Sequence, residues 1–199
     1  MISLNMFWRS AYNFILLPLF MTVIFILSIF SAKIRRGVIG RLNSRKIVND
    51  FVSKSKNKDI YWFHAASLGE YEQIKPVLTG LKEIEPEAVF VMSFFSPSGF
   101  DYVKDNDIDC KIYLPFDFKW SVKYYLKKIK PRKLVLAGYD VWPNLIWVAK
   151  ELNVHSVLFA ARFSKKSSKT FPVIKFFYRN IYNSFSAIYT ITTTDSDQL

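Results

Sequence analysis

Between Ala11 and Ala32 the chain runs through "AYNFILLPLFMTVIFILSIFSA" without a single charge, and no polar face interrupts the run. At ~1.5 Å per residue such a segment is long enough to cross a bilayer core. The pattern predicts a transmembrane helix, with Pro18 as a possible kink and a helix lying on the membrane as the alternative. "SAK" followed at once by "IRR" is a poor cleavage site, so the segment reads as an uncleaved anchor. Next comes a polar, Lys-rich connector, residues 33–58, in which Ile47, Val48, Phe51 and Val52 predict only a short helix near the surface.

From Asp59 onward the period changes. "DIYWFHA", "AVFVMSFFS", "KIYLPFD", "KLVLAGYD", "VHSVLFAAR" and "AIYTITT" are short apolar, β-branched or aromatic runs. They predict six buried parallel strands. Between them, "EYEQIKPVLTGLKEIE", "SPSGFDYVKD", "DFKWSVKYYLKKIK", "VWPNLIWVAKELN" and Thr170 to Phe185 carry helical patterns. Repeated β-α units with right-handed crossovers make an α/β fold, a doubly wound parallel sheet. In such sheets ligands bind outside the carboxyl ends of the strands, where "HAASLGE", "FFSPSG", "PFD", "GYDVWPN" and "AARFS" fall. The closing "TTTDSDQL" begins another strand-to-helix turn, with Asp195 or Ser196 as N-cap, so the chain is expected to end within a larger architecture.

Charge and composition narrow the function. A length of 199 residues suits one such lobe, and a net charge of +12 calls for an anionic partner: a membrane surface, a phosphorylated substrate or nucleic acid. Lys33, Arg35, Arg36, Arg41, Arg45 and Lys46 follow the apolar run and only Arg9 precedes it, which puts the globular part in the cytoplasm. Cys110 is the lone cysteine, and His64 and His155 are the only histidines, so no zinc-type ligand cluster can be assembled and no metal is expected. Neither a dinucleotide fingerprint nor a P-loop is present. No nucleic-acid module is visible, and the anchor makes that partner improbable. The basic stretches Lys119 to Lys133 and Lys165 to Lys175 suit solvated helix faces and an anionic membrane surface alike. His64, His155, Trp62 and Trp147 read as residues of the sheet and core.

"HAASLGE", "SFFSPSGFDYV", "YLPFD", "VWPN" and "AARFS", in this order behind an anchor, resemble the N-terminal half of the Kdo (3-deoxy-D-manno-octulosonic acid) transferases. The resemblance implies the acceptor-side lobe, residues 59–199, of a two-lobed glycosyltransferase of the GT-B type, with the donor lobe outside this sequence. It implies inverting transfer of Kdo from CMP-Kdo to a lipid A precursor in lipopolysaccharide synthesis, at the cytoplasmic face of the inner membrane and without an essential metal or cofactor. The alternative is a non-catalytic, membrane-tethered lobe that binds an anionic glycolipid.

Ser67-Leu68-Gly69-Glu70 spells S-x-x-E, a capping box. From spacing alone Glu70 is a cap; the resemblance makes it the general base that takes the acceptor's proton. Gly69 either admits substrate backbone-close or permits a tight turn. Ser96, Ser98 and Gly99 either bind the acceptor or cap a helix. The resembled family has Glu-x-Glu before Trp-Pro, whereas here Gly138 replaces the first glutamate and Asp140 the second, ahead of Trp142, Pro143 and Asn144. The resemblance assigns the missing carboxylate to transition-state support, so either another group, with Asp140 the candidate, compensates or the protein is catalytically weakened. Arg162 suits bidentate pairing with an anionic ligand, or is a surface residue at a strand end.

Overall fold

The computed structural model describes residues 2–138, 140–161 and 172–196. It opens with helix α1 (Ile2–Ala11), a π-helical turn (Tyr12–Leu16) and helix α2 (Leu17–Phe30), continuous with one another. The segment Met6–Phe30 is long and apolar enough to cross a membrane. Helix α3 (Ala32–Lys54) follows after a break at Ser31, whose extended backbone and side chain cap it by accepting from the Ile34 amide at 3.4 Å.

The lobe then alternates strictly: β1 (Ile60–Ala65), α4 (Leu68–Ile84), β2 (Val89–Phe94), α5 (Pro97–Tyr102), β3 (Cys110–Tyr113), α6 (Lys119–Ile129), β4 (Lys133–Ala137), α7 (Pro143–Glu151), β5 (His155–Ala161), α8 (Pro172–Tyr182), β6 (Ala187–Thr190) and α9 (Thr193–Ser196). All six expected strands are present, every pairing is parallel, and their order is β3-β2-β1-β4-β5-β6. The order reverses between β1 and β4, which pair Trp62 with Leu134 and His64 with Leu136. Outside the carboxyl ends of those two strands lies the crevice where such folds bind ligands.

Alternation along the strands feeds two cores. Trp62, Val91, Ile112, Leu134 and Leu158 pack on one face with α6 and α7, and Tyr61, Phe63, Phe90, Met92 and Val135 on the other with α4. Helices cover both faces, so the strands need no polar side and read as unbroken apolar runs.

The connector differs from its expectation. In place of a short surface helix, α3 is 23 residues long and buries a stripe of Gly37, Arg41, Ser44 and Val48 at helical spacing. Small residues permit this seating. A Cβ on Gly40 would enter the ring of Tyr113, and Ser44 Oγ accepts from the Tyr113 amide at 3.1 Å while donating to the Gly40 carbonyl at 2.9 Å.

The apolar N-terminal helix also packs along the lobe. Trp8 lies 5.7 Å from Phe177, Tyr12 5.8 Å from Trp147, Phe20 6.2 Å from Trp142 and Phe25 5.9 Å from Phe116, ring centre to ring centre. Tyr12, Leu17 and Met21 form the buried stripe, and Ile24 packs against it. These contacts run along the carboxyl-terminal edge of the sheet.

Candidate active site

Glu70 stands in the first turn of α4, at the crevice. The Ser67 amide donates to its Oε2 at 3.0 Å, and Ser67 Oγ lies 3.5 Å from the same atom, so the carboxylate serves as a helix cap. Yet Glu70 is only half-buried, which leaves it reachable. Burial and then the charge of Asp140 raise its pKa above the usual glutamate value, against the amides of Ala66 and Ser67 and the charge of His64. The helix N-terminus favours the anion, whereas desolvation and the neighbouring carboxylate strengthen the base.

Gly138 ends β4 directly opposite. Its φ is +72°, and a Cβ there would sit 3.1 Å from Glu70 Oε1 and 3.5 Å from Glu70 Cγ. At the position where the resembled family carries its first glutamate, a side chain is therefore strained by the left-handed backbone and crowds Glu70.

Two residues on, Asp140 is held on one oxygen. Trp142 Nε1 donates to Oδ2 at 3.0 Å, and His64 Nε2 lies 3.3 Å from the same atom. His64 is fully buried in β1, its Nδ1 3.0 Å from both the carbonyl and the hydroxyl of Ser93. Ser93 Oγ in turn accepts from Trp62 Nε1 at 2.8 Å and donates to the Phe63 carbonyl at 3.2 Å. A chain of polar contacts thus runs from the core of the sheet to the carboxylate beside Glu70. In sequence His64 has no visible partner; Asp140 lies 76 positions away and meets it only because β1 and β4 are neighbours.

The other expected site residues divide. At Gly69 nothing in the protein demands glycine, since φ is not left-handed and a Cβ would meet only Ser67 Oγ at 4.0 Å. The tight-turn explanation therefore drops out, and the space beside Gly69 is open. Ser96 caps α5, accepting from the Ser98 amide at 3.2 Å with the two hydroxyls 2.7 Å apart, and a Cβ on Gly99 would enter the Phe94 ring. Those three have structural work. Asn144 is buried, donating from Nδ2 to Asn13 Oδ1 at 2.8 Å and to the Asp117 carbonyl at 2.6 Å. Its polar atoms are spent on fastening the N-terminal helix. Arg162 and most of Lys165 to Lys175 lie outside the described residues.

Asp117 is the hub of that fastening and was not singled out by its sequence context. Buried at 1% exposure, it accepts from Tyr12 Oη at 2.7 Å, the Asn144 amide at 2.9 Å and the Leu145 amide at 2.9 Å. It caps α7, whose own preceding residue, Trp142, provides no capping bond. Burial pushes its carboxyl up to about 7, against the pull of those three donors.

Two cavities of about 160 and 460 Å³ flank this fastening, between the N-terminal helix and the lobe, and Phe20, Phe95 and Trp142 line both. The smaller also meets Lys33 and Arg41. Arg41 is buried, donates to the carbonyls of Gly37 and Phe95 at 2.8 and 2.9 Å, and lies over the rings of Phe95 and Phe116 at 4.5 and 5.3 Å. Burial lowers it to about 10. The larger cavity reaches Asp140, so the apolar space is continuous with the carboxylate site through Trp142.

The architecture is similar to a solved structure, a putative UDP-N-acetylglucosamine 2-epimerase from Listeria monocytogenes, with a TM-score of 0.51 and 12% identity over 71% of this chain and 41% of that one. At that identity the likeness concerns the fold. Curated relatives are nearer in sequence. The 3-deoxy-D-manno-octulosonic acid transferase of Haemophilus influenzae is 28% identical over 186 residues, 91% of this chain and 42% of that protein. The transferase of the same name from Aquifex aeolicus is 32% identical over 121 residues, 59% and 33% of the two chains. The chain thus spans less than half the length of these relatives. The profile of the 3-deoxy-D-manno-octulosonic-acid transferase (kdotransferase) family matches residues 40–199. Glu70, Asp140 and the crevice between β1 and β4 all fall within that match, and the chain belongs to the Kdo transferase family.

Proposed function

We propose that this chain is the acceptor-side lobe of a glycosyltransferase that moves Kdo from CMP-Kdo to a hydroxyl of a lipid A precursor during lipopolysaccharide synthesis. The carrying observation is Glu70: a half-buried carboxylate with raised pKa, at the switch point of the sheet, on the edge where the apolar helix lies. In this reading Glu70 takes the proton of the acceptor hydroxyl as its oxygen bonds to the anomeric carbon of Kdo with inversion, and CMP leaves with the bonding pair. A general base of this kind contributes ~10²–10⁴-fold. CMP-Kdo is a substrate here, held by a donor lobe beyond this sequence, and the step as written uses neither cofactor nor metal. Asp140, oriented by Trp142 and His64, and the open space at Gly69 meet the acceptor's sugar. Ser67, Ser96, Ser98, Gly99 and Asn144 act through the fold. The cavities lined by Phe20, Phe95 and Trp142 suit hydrocarbon, and Arg41 and Lys33 suit a phosphate at their rim. The globular part faces the cytoplasm against an anionic inner-membrane surface.

Gly138 favours a second reading, a lobe that binds an anionic glycolipid without catalysis. The full-length protein decides between them. Incubated in vesicles with CMP-Kdo and a lipid A precursor, it is expected to yield Kdo-bearing lipid by mass spectrometry. Absence of product under conditions where the Haemophilus influenzae relative gives it would reject catalysis, and retained glycolipid binding would then favour the second reading.

A further inference from the structure

The N-terminal helix is apolar all round, which in sequence reads as a membrane crossing. Its contacts with the lobe say otherwise. They extend from Trp8, against Phe177, to Phe25, against Phe116, and that separation of 17 positions covers about 25 Å of helix, most of the ~30 Å hydrocarbon core of a bilayer.

Polar bonds fix the helix along that length. Arg9 Nη1 lies 2.6 Å from Glu151 Oε1, Tyr12 donates to Asp117, and Asn13 and Asn144 exchange side-chain hydrogen bonds at 2.8 and 3.2 Å. Were this helix upright across a bilayer, the part of the lobe fastened to it would be drawn to hydrocarbon depth. Glu151 and Lys119, paired at 3.2 Å and partly exposed, would go with it. Charges at that depth are strongly unfavourable. A helix lying in the plane of the interface avoids this. One stripe, Tyr12, Leu17 and Met21, is covered by protein, so that side has no need of polar residues. The opposite side presents Phe14 at 80%, Leu19 at 62%, Ile26 at 51% and Phe30 at 81% exposure, an apolar patch of the kind that marks an interaction surface. Lys33, Arg35 and Arg36 follow directly, as on helices that rest among anionic headgroups.

We infer that the N-terminal helix does not cross the membrane but lies along one leaflet, its exposed face among acyl chains and its other face clasped by the lobe, so that the carboxyl-terminal edge of the sheet sits at the headgroup level. The occupant of the exposed face is therefore the lipid of a single leaflet. This rests on membrane association alone and holds whether or not the lobe takes part in Kdo transfer.

Sidedness tests it. The chain carries a short hydrophilic extension with one cysteine ahead of Met1, or separately Lys58→Cys in the exposed connector, with Cys110 left buried. Right-side-out and inverted membrane vesicles are treated with a membrane-impermeant maleimide. Both cysteines are expected to label from the same side. Labelling of the extension from the side opposite Lys58→Cys, or from neither side, overturns the inference. As a second measurement, the purified chain is expected to float with vesicles of phosphatidylethanolamine and phosphatidylglycerol. A chain that remains unbound and self-associates would assign the face to a second copy and overturn it too. Neither readout requires enzymatic activity.

Discussion

Removing the Asp117 carboxylate should unfasten the N-terminal helix, and the geometry sets the size of the effect. Asp117→Ala strands three donors in a buried setting: the hydroxyl of Tyr12 and the amides of Asn144 and Leu145 at the start of α7. An unsatisfied buried donor costs about 1–3 kcal/mol. The adjoining cavity of about 160 Å³, which Asp117 helps to line, gives room for water and favours the lower end. The lost desolvation cost of the carboxylate offsets part as well. A loss of about 3–5 kcal/mol results. At roughly 2–4 °C per kcal/mol for a chain of this size, that lowers the melting temperature by about 10 °C. Thermal unfolding in detergent reads it, with Tyr12→Phe as the graded control. That variant strands no buried donor and leaves Asp117 its two amides, so about 1–2 kcal/mol is expected. An Asp117→Ala loss under about 1 kcal/mol, or equal losses for the two variants, would refute the view that Asp117 is the hub.

The same residue gives a pH dependence. Its carboxyl stands at about 7 in the folded chain against ~3.9 unfolded, so the folded state keeps a proton that the unfolded state releases. Stability that is fully present below about pH 4 is therefore lost as pH rises to about 7. The melting temperature should fall between about pH 4 and 7, and less steeply in Asp117→Asn; parallel curves would contradict the assignment. Gly138→Ala forces a left-handed φ on a side chain and crowds Glu70, at about 1–2 kcal/mol; Gly138→Glu, tested in the full-length protein, should lower turnover further, and a gain would show that the family's carboxylate can be restored here. Gly40→Ala pushes α3 off the Tyr113 ring and should cost about 1–3 kcal/mol in a denaturant titration, an unchanged midpoint arguing against the seating described.

The strands were legible because helices bury both faces of the sheet, and runs such as Val89–Phe94 then show as continuous apolar stretches. Helix α3 was not. Its buried stripe consists of Gly37, Arg41, Ser44 and Val48, and three of the four carry no apolar signal. Periodicity likewise cannot say whether an apolar face is covered by lipid or by protein, so the packing of Trp142, Trp147 and Phe116 on one side of the N-terminal helix was not legible. At the site, S-x-x-E marked Glu70 through its local capping role. Asp117 and the pairing of His64 with Asp140 depend on contacts across 105 and 76 positions, which no local pattern encodes.

The central claim is that Glu70 is a base as well as a cap. Glu70→Gln in the full-length protein keeps a side chain that can still accept the Ser67 amide bond but cannot take the acceptor's proton. With CMP-Kdo and a lipid A precursor in vesicles, turnover should fall by about 10²–10⁴-fold while the melting temperature stays where it was. Turnover near that of the unaltered protein would contradict the account and leave Glu70 a helix cap.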